Sequence, residues 1–264
     1  MKKLTMMLLV LCCVIGALAC GGEGEETVDG TTGATQQDGG ESGSVSGGKM
    51  LVVYFSRAGE NWQVGVVERG NTAIMVDYIQ ELADVDVFEI EPAVAYPEGY
   101  EACKEVATEE FNNNARPAIK TSISNLSDYE TIFVGGPVWW SRPPMIFRTF
   151  FEAHPELDGK TVIPFGTHGG SGVGSYATLI REYYPNTTIL ESLGISGSSI
   201  RSASSKTTVK EWLQRLGVDK ESTSVRDIRA TAANDGEAYS LNGIRTKNPK
   251  GIYIKNNKKY LNRK

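Results

Sequence analysis

The chain has 264 residues, 40% of them hydrophobic and 22% charged, with a net charge of −5, and these averages conceal at least three compositions. Its cysteines exclude a disulfide framework: Cys12 and Cys13 lie in an apolar N-terminal run, Cys20 closes that run, and Cys103 stands alone in the body of the chain. No His or Cys cluster occurs at ligand spacing, so the sequence offers no zinc or other metal site.

The N-terminus reads MKKLTMMLLVLCCVIGALAC. Lys2 and Lys3 precede an apolar stretch from Leu4 to about Ala19 that is too short and one-sided for a comfortable membrane span. Residues 1–19 are therefore expected to be an export signal. Cleavage after Ala19 leaves Cys20 N-terminal, where its thiol can carry a lipid anchor into a membrane of the cell envelope. The same Ala17-Leu18-Ala19 also suits ordinary signal peptidase, which would release a soluble periplasmic or secreted product. Residues 20–48 are almost free of apolar side chains and cannot bury enough surface to offset the entropy of ordering, so they read as a disordered tether.

From about Lys49 to Gly217 apolar runs alternate with amphipathic ones. KMLVVYF is a buried strand; TAIMVDYIQELA places Met75, Ile79 and Leu82 on one helical face; DVDVFEIEP alternates as a strand. YPEGYEACKEVATEEFNNN is helical by composition, with Cys103 semi-buried on it; YETIFVGGP is a strand, PPMIFRTFFEAH a helix opened by proline, and KTVIPFGTH a strand. VGSYATLIREYYP, TTILESLGI and TTVKEWLQRLG follow as helix, strand and helix, the last with glycine just past its end. Five strands alternating with five helices mean one α/β domain, a parallel sheet covered on both faces.

Ligands of such sheets sit outside the carboxyl ends of the strands, where strand order reverses. The three loops there are SRAGENWQVGVVERGNT, GGPVWWSRPP and GTHGGSGVGS. The first ends in Thr72 at a helix start, where free N–H groups and the helix dipole favour an anion. Without GxxxxGK[ST] or GxGxxG the chain suits neither a nucleoside triphosphate nor a dinucleotide, which leaves a monophosphate cradled by Ser56, Ala58, Asn61 and Thr72. The alternative is a plain polar loop capped by Thr72. The second loop carries Trp139 and Trp140 in tandem, an expensive exposure unless something flat covers them.

VVYFSRAGEN…GNT, IFVGGPVWWSRPP and PFGTHGGSG together resemble the flavodoxin-like proteins, in the branch with a long phosphate loop. That resemblance implies a doubly wound five-stranded parallel sheet of order 2-1-3-4-5 and FMN as cofactor. By it, Ser56, Arg57, Ala58, Gly59, Asn61, Asn71, Thr72 and Ala73 take the phosphate. Pro137, Val138, Trp139 and Trp140 flank the isoalloxazine together with Thr167, His168, Gly169, Gly170, Ser171 and Gly172. Two features depart from the family: Ser141 stands where glycine is preferred, followed by Arg142, and the third loop lacks the tyrosine with which many flavodoxins stack the ring. The cations expected nearest the ring are Arg57, Arg142 and His168; His168, beside two glycines, reads as a loop hydrogen-bonder more readily than as a proton donor.

Electron transfer to a redox partner protein or a small-molecule acceptor is the expected work. NAD(P)H- or partner-dependent reduction of quinones or other small molecules by the same FMN is the alternative, and a non-enzymatic FMN-binding or adhesive surface lipoprotein a third. HGGSG also resembles a lipase oxyanion loop, but Ser171 lacks the GxSxG elbow and no histidine follows it. Residues 218–264 form a basic tail with three short strand-like pieces. From Ser222 onward ten basic side chains face three acidic ones, a balance of +7. This tail resembles the ends of many secreted bacterial proteins, some of them sorting signals, and no nucleic-acid partner is expected for an exported chain.

Overall fold

The computed structural model describes residues 48–224 and the strands at 238–240, 245–246, 251–255 and 258–262. The expected export signal, Cys20 and the tether short of Gly48 lie outside the described residues. The central sheet contains β1 (Met50–Tyr54), β4 (Asp86–Glu89), β5 (Thr131–Pro137), β6 (Thr161–His168), β7 (Thr188–Ile189) and β8 (Leu193–Ser196). The order is β4-β1-β5-β6-β7, with β8 also on β6, and every pairing is parallel. This is the expected 2-1-3-4-5 arrangement, with β1 where the winding reverses.

All five residues of β1 are buried, because helices cover both faces of a parallel sheet and leave no solvent side. On one face α1 (Asn71–Leu82) and α5 (Ala203–Leu216) supply Met75, Ile79, Trp212 and Leu213. On the other, α3 (Ile146–Ala153) and α4 (Tyr176–Tyr183) supply Phe147, Phe150, Tyr176 and Ile180. A further helix, α2 (Tyr100–Asn112), buries Cys103 and Ala107. Local chemistry fixes the ends of α5: Ser202 Oγ accepts the Ser205 N–H at 3.3 Å, and Gly217 closes the helix in the left-handed region at φ 66°. Val218, just beyond, is fully buried in the same core, and Asp219 bridges to Ala83, so the domain's packing runs past Gly217.

Three details differ from the sequence reading. The first loop is not irregular: β2 (Gly59–Asn61) and β3 (Gly65–Val67) form an antiparallel hairpin inside it. The fifth strand is interrupted by a bulge, four steps from Ile189 to Leu193 facing three from Val162 to Phe165. There Glu191 is drawn toward α5, its carbonyl accepting Trp212 Nε1–H at 2.9 Å and its carboxylate meeting Arg215 at 2.7 Å. Third, among the described residues the tail holds four strands where three pieces were expected. β9 (Ala238–Ser240), β10 (Arg245–Thr246), β11 (Gly251–Lys255) and β12 (Lys258–Asn262) form a separate antiparallel sheet of order β10-β9-β11-β12.

The chain leaving β5 turns sharply at Trp139–Arg142, with the Trp139 N–H donating to Arg142 O at 2.9 Å and the Arg142 N–H to Trp139 O at 3.1 Å. Its two central residues, Trp140 and Ser141, have φ of 49° and 60°. Side chains are disfavoured there by about 1–2 kcal/mol per residue, against about 0.5–1 kcal/mol of extra chain entropy that a glycine would lose. Ser141→Gly should therefore raise stability by roughly 0.5–1 kcal/mol, read as a higher urea midpoint at unchanged slope; a lower midpoint would show that the turn is not strained.

Candidate functional site

A cleft of about 300 Å³ opens at the carboxyl edge of the sheet, among the loops after β1, β5 and β6. Its floor at one end is the start of α1. Gly70, the N-cap, offers no side-chain acceptor, and Ser56 Oγ accepts the Ala73 N–H at 3.0 Å. Among the described residues this leaves the N–H groups of Asn71 and Thr72 as first-turn donors for a ligand, at the positive end of the helix dipole. Gly70 is required by close approach, since a Cβ there would lie 2.6 Å from Arg57 O. Beside it the Thr72 and Thr167 hydroxyls share a buried hydrogen bond of 2.8 Å, joining the first loop to the third. Arg201 donates from Nη1 to Asn71 Oδ1 at 2.6 Å and from Nη2 to Arg69 O at 2.8 Å, which fixes the Asn71 amide with its Nδ2 toward Gly197.

The other end of the cleft is aromatic. The two tandem tryptophans have different lives: Trp139 is half-buried, edge-on to Phe55 at 5.9 Å and Tyr96 at 5.1 Å, whereas Trp140 is 50% exposed. Trp62, from the turn of the β2–β3 hairpin, and Tyr100, the first residue of α2, complete the aromatic lining with ring centroids 5.5 Å apart. No Asp or Glu lines the cleft among the described residues, although the chain carries 32 of them; such a site suits an anionic ligand with a flat apolar body.

Of the residues expected from sequence, the cleft brings together Arg57, Asn61, Asn71, Thr72, Pro137, Val138, Trp139, Trp140, Thr167, His168, Gly169 and Ser171. Ser56 stands behind the helix start, Ala73 is buried beneath it, and Ala58, Gly59, Gly170 and Gly172 do not line the space. Arg57 lines the cleft, but its guanidinium is engaged elsewhere, donating to the carbonyls of Pro97 and Glu98 at 2.6 Å and of Glu60 at 2.7 Å. Arg142, expected near the ring, turns away and stacks over Phe111 at 3.9 Å. Sequence reasoning missed Trp62, Tyr100, Cys103, Lys104, Ala107, Ser141 and Gly197. Four of these belong to α2, whose i, i+3, i+4, i+7 spacing over Tyr100, Cys103, Lys104 and Ala107 was the available signal.

The flavodoxin family's sequence pattern matches residues 49–216. The chain belongs to the flavodoxin family. A flavoprotein structure from Bacteroides eggerthii is similar at 30% identity and a TM-score of 0.51, covering 65% of this chain and 99% of its own. One from Bacteroides uniformis is similar at 30% identity and a TM-score of 0.50, covering 64% and 99%. Comparison with curated proteins gave no match.

Three titratable groups at the flavodoxin cleft are shifted: Lys104 is raised by its hydrogen bond to Glu101, and the other two are shifted by burial. The Cys103 thiol is pushed up, only partly opposed by Arg57, and so stays neutral. The His168 imidazole is pushed below its ordinary 6.5. Its Nδ1 accepts the Gly170 N–H at 2.9 Å, so a proton on that nitrogen would break the loop's own hydrogen bond. As pH falls below about 6.5 the unfolded chain protonates His168 first, so the native state loses stability from there down to the lowered native value and keeps it above 6.5. Urea midpoints measured between neutral pH and about pH 5 should fall more steeply for the wild type than for His168→Gln; parallel slopes would place the imidazole in a solvent-like setting.

Proposed function

We propose that this flavodoxin binds FMN in the cleft and serves as an electron carrier. The observation that carries this reading is the union, in one space at the carboxyl edge of the sheet, of a helix start that leaves the Asn71 and Thr72 N–H groups for a ligand at one end and aromatic side chains at the other. The residues present fit that cofactor. The Asn71 and Thr72 N–H groups, with the Thr72 hydroxyl, would hold the phosphate. Pro137, Val138 and the Trp139–Trp140 pair would lie against the ring, with the backbone and hydroxyls of Thr167–Ser171 opposite. Bound there, FMN supplies a ring able to take up and release one or two electrons.

The chain's own residues favour transport of electrons over proton-coupled reduction of a bound substrate. His168 is half-buried and its Nδ1 accepts the Gly170 N–H, so it holds no proton at Nδ1 to deliver. Cys103 is a neutral buried thiol, and Arg57 is occupied by backbone carbonyls. Trp140, half exposed at the mouth, offers a contact surface to a redox partner protein or a small acceptor. The N-terminal sequence supports work in the cell envelope: residues 1–19 as export signal and Cys20 as lipid attachment would tether the domain to a membrane through residues 20–48.

Replacing Thr72 with Ala separates phosphate from ring recognition. A hydrogen bond to a charged group contributes about 1.5–3 kcal/mol, so FMN affinity should fall roughly ten- to a hundredfold, while riboflavin, which lacks the phosphate, should bind as before. Titration of both flavins into the apoprotein checks this; equal loss for the two would remove the phosphate from the start of α1.

A further inference from the structure

Arg142, which turns away from the cleft, lines a second groove on the far side of the Trp139–Arg142 turn. This groove, of about 320 Å³, runs between the end of α2, the turn, α3 and the start of α4. Met145 and Leu179, both buried, form its floor, and Phe111 and Trp140, 42% and 50% exposed, give it apolar walls. Two guanidinium groups and one carboxylate complete the lining. Arg148 Nη1 meets Glu182 Oε1 at 2.9 Å, so those two charges cancel. The Arg142 guanidinium lies over the Phe111 ring at 3.9 Å, with Nε directed at Trp140 O at 3.4 Å. Among the described residues no carboxylate pairs with Arg142, and its Nη1 and Nη2 have no acceptor.

We propose that this groove is a binding site for a flat aromatic carboxylate, separate from the flavin cleft and independent of the FMN reading: the carboxylate takes the fork of Arg142 and the ring lies against Phe111 and Trp140.

The chemistry of the groove selects that ligand. A guanidinium presents a planar pair of donors that matches a carboxylate bidentately, and stacking on Phe111 fixes its plane before the ligand arrives. In a chain of net charge −5 this is a local surplus of positive charge, which repels cations and draws an anion. A small inorganic anion would leave the phenyl and indole surfaces wet, whereas an aromatic ring covers them.

The frame is also set in advance. The Ser175 N–H, at the start of α4, donates to Ser141 O at 2.9 Å. Gly174, at φ 66°, allows this approach, since a Cβ there would lie 2.8 Å from Ser141 O. Trp140 and Arg142 flank the residue held by that bond, so indole and guanidinium are carried together. Trp140 and Ser141 line both spaces, which places a ligand of the groove beside the mouth of the cleft.

Calorimetric titration of naphthoate and of neutral naphthalenemethanol into the purified protein tests this, each variant being used at a temperature where its unfolding curve shows it folded. Naphthoate should bind the wild type roughly ten- to a hundredfold more tightly, the effect of hydrogen bonds to a charged group, and should weaken as salt is added. Arg142→Gln should abolish the preference for naphthoate, and Arg142→Lys, which keeps the charge without the fork, should retain part of it. Phe111→Leu should weaken both ligands. Arg181→Gln, exposed on α4 and outside the groove, should change neither. Saturating FMN should not displace naphthoate. Equal binding of the two ligands to the wild type, an undiminished preference in Arg142→Gln, or displacement of naphthoate by FMN would overturn the site.

Discussion

The cleft depends on two adjacent glycines in β5. A Cβ on Gly135 would fall 2.5 Å from the Phe165 ring, and one on Gly136 would fall 2.5 Å from Tyr176 Oη. Those larger groups occupy the space instead, with the Tyr176 hydroxyl donating to Pro137 O at 3.1 Å. β1, β5 and β6 run in register to their ends, Tyr54 opposite Gly135 and Pro137 opposite Thr167. The loops after the three strands therefore leave from one edge and meet. Thr72 and Thr167, 95 positions apart, share a hydrogen bond only because of that register.

An acidic chain has arranged this edge to be unlike the rest of its surface. Carboxylates are absent from the cleft lining among the described residues, and the helix start supplies partial positive charge that cannot be titrated away. The Cys103 thiol is held neutral by burial, and the His168 imidazole by burial together with the hydrogen bond it accepts from its own loop. What remains are backbone donors, hydroxyls and rings, a set able to hold a flat anion and tune its electronics without doing chemistry on it. Arg57 fits the same logic: it joins the hairpin to the start of α2 and contributes to the shape of the cleft more than to its charge.

Most of the fold was legible because buried parallel strands are written as unbroken apolar runs: MLVVY and IFV leave little alternative. Motifs at strand ends were legible for the same reason, since the end of a run locates the loop. The β2–β3 hairpin was not, because three-residue strands such as GEN and GVV carry too short a pattern, and what orders them is contact with Glu98 and Tyr100, some forty positions away. The break in the last strand was hidden likewise: Leu190 continues the apolar run, while the pull on Glu191 comes from Trp212 and Arg215. The sequence of the tandem tryptophans could not tell which would pack and which would face the cleft mouth. Trp62 carried no motif, and only the hairpin's placement over Gly169 gives it meaning.

The central claim is that one cleft holds a flavin mononucleotide by its single phosphate and its ring. Mass spectrometry of the small molecules released from protein purified without added flavin, followed by titration of the stripped protein with FMN and FAD, tests it most directly. FMN should be the released ligand and should rebind more tightly than FAD, because the start of α1 has donors for one phosphate and the first loop lacks the GxGxxG of a dinucleotide site. Release of FAD, or a stripped protein with no affinity for any flavin, would contradict it.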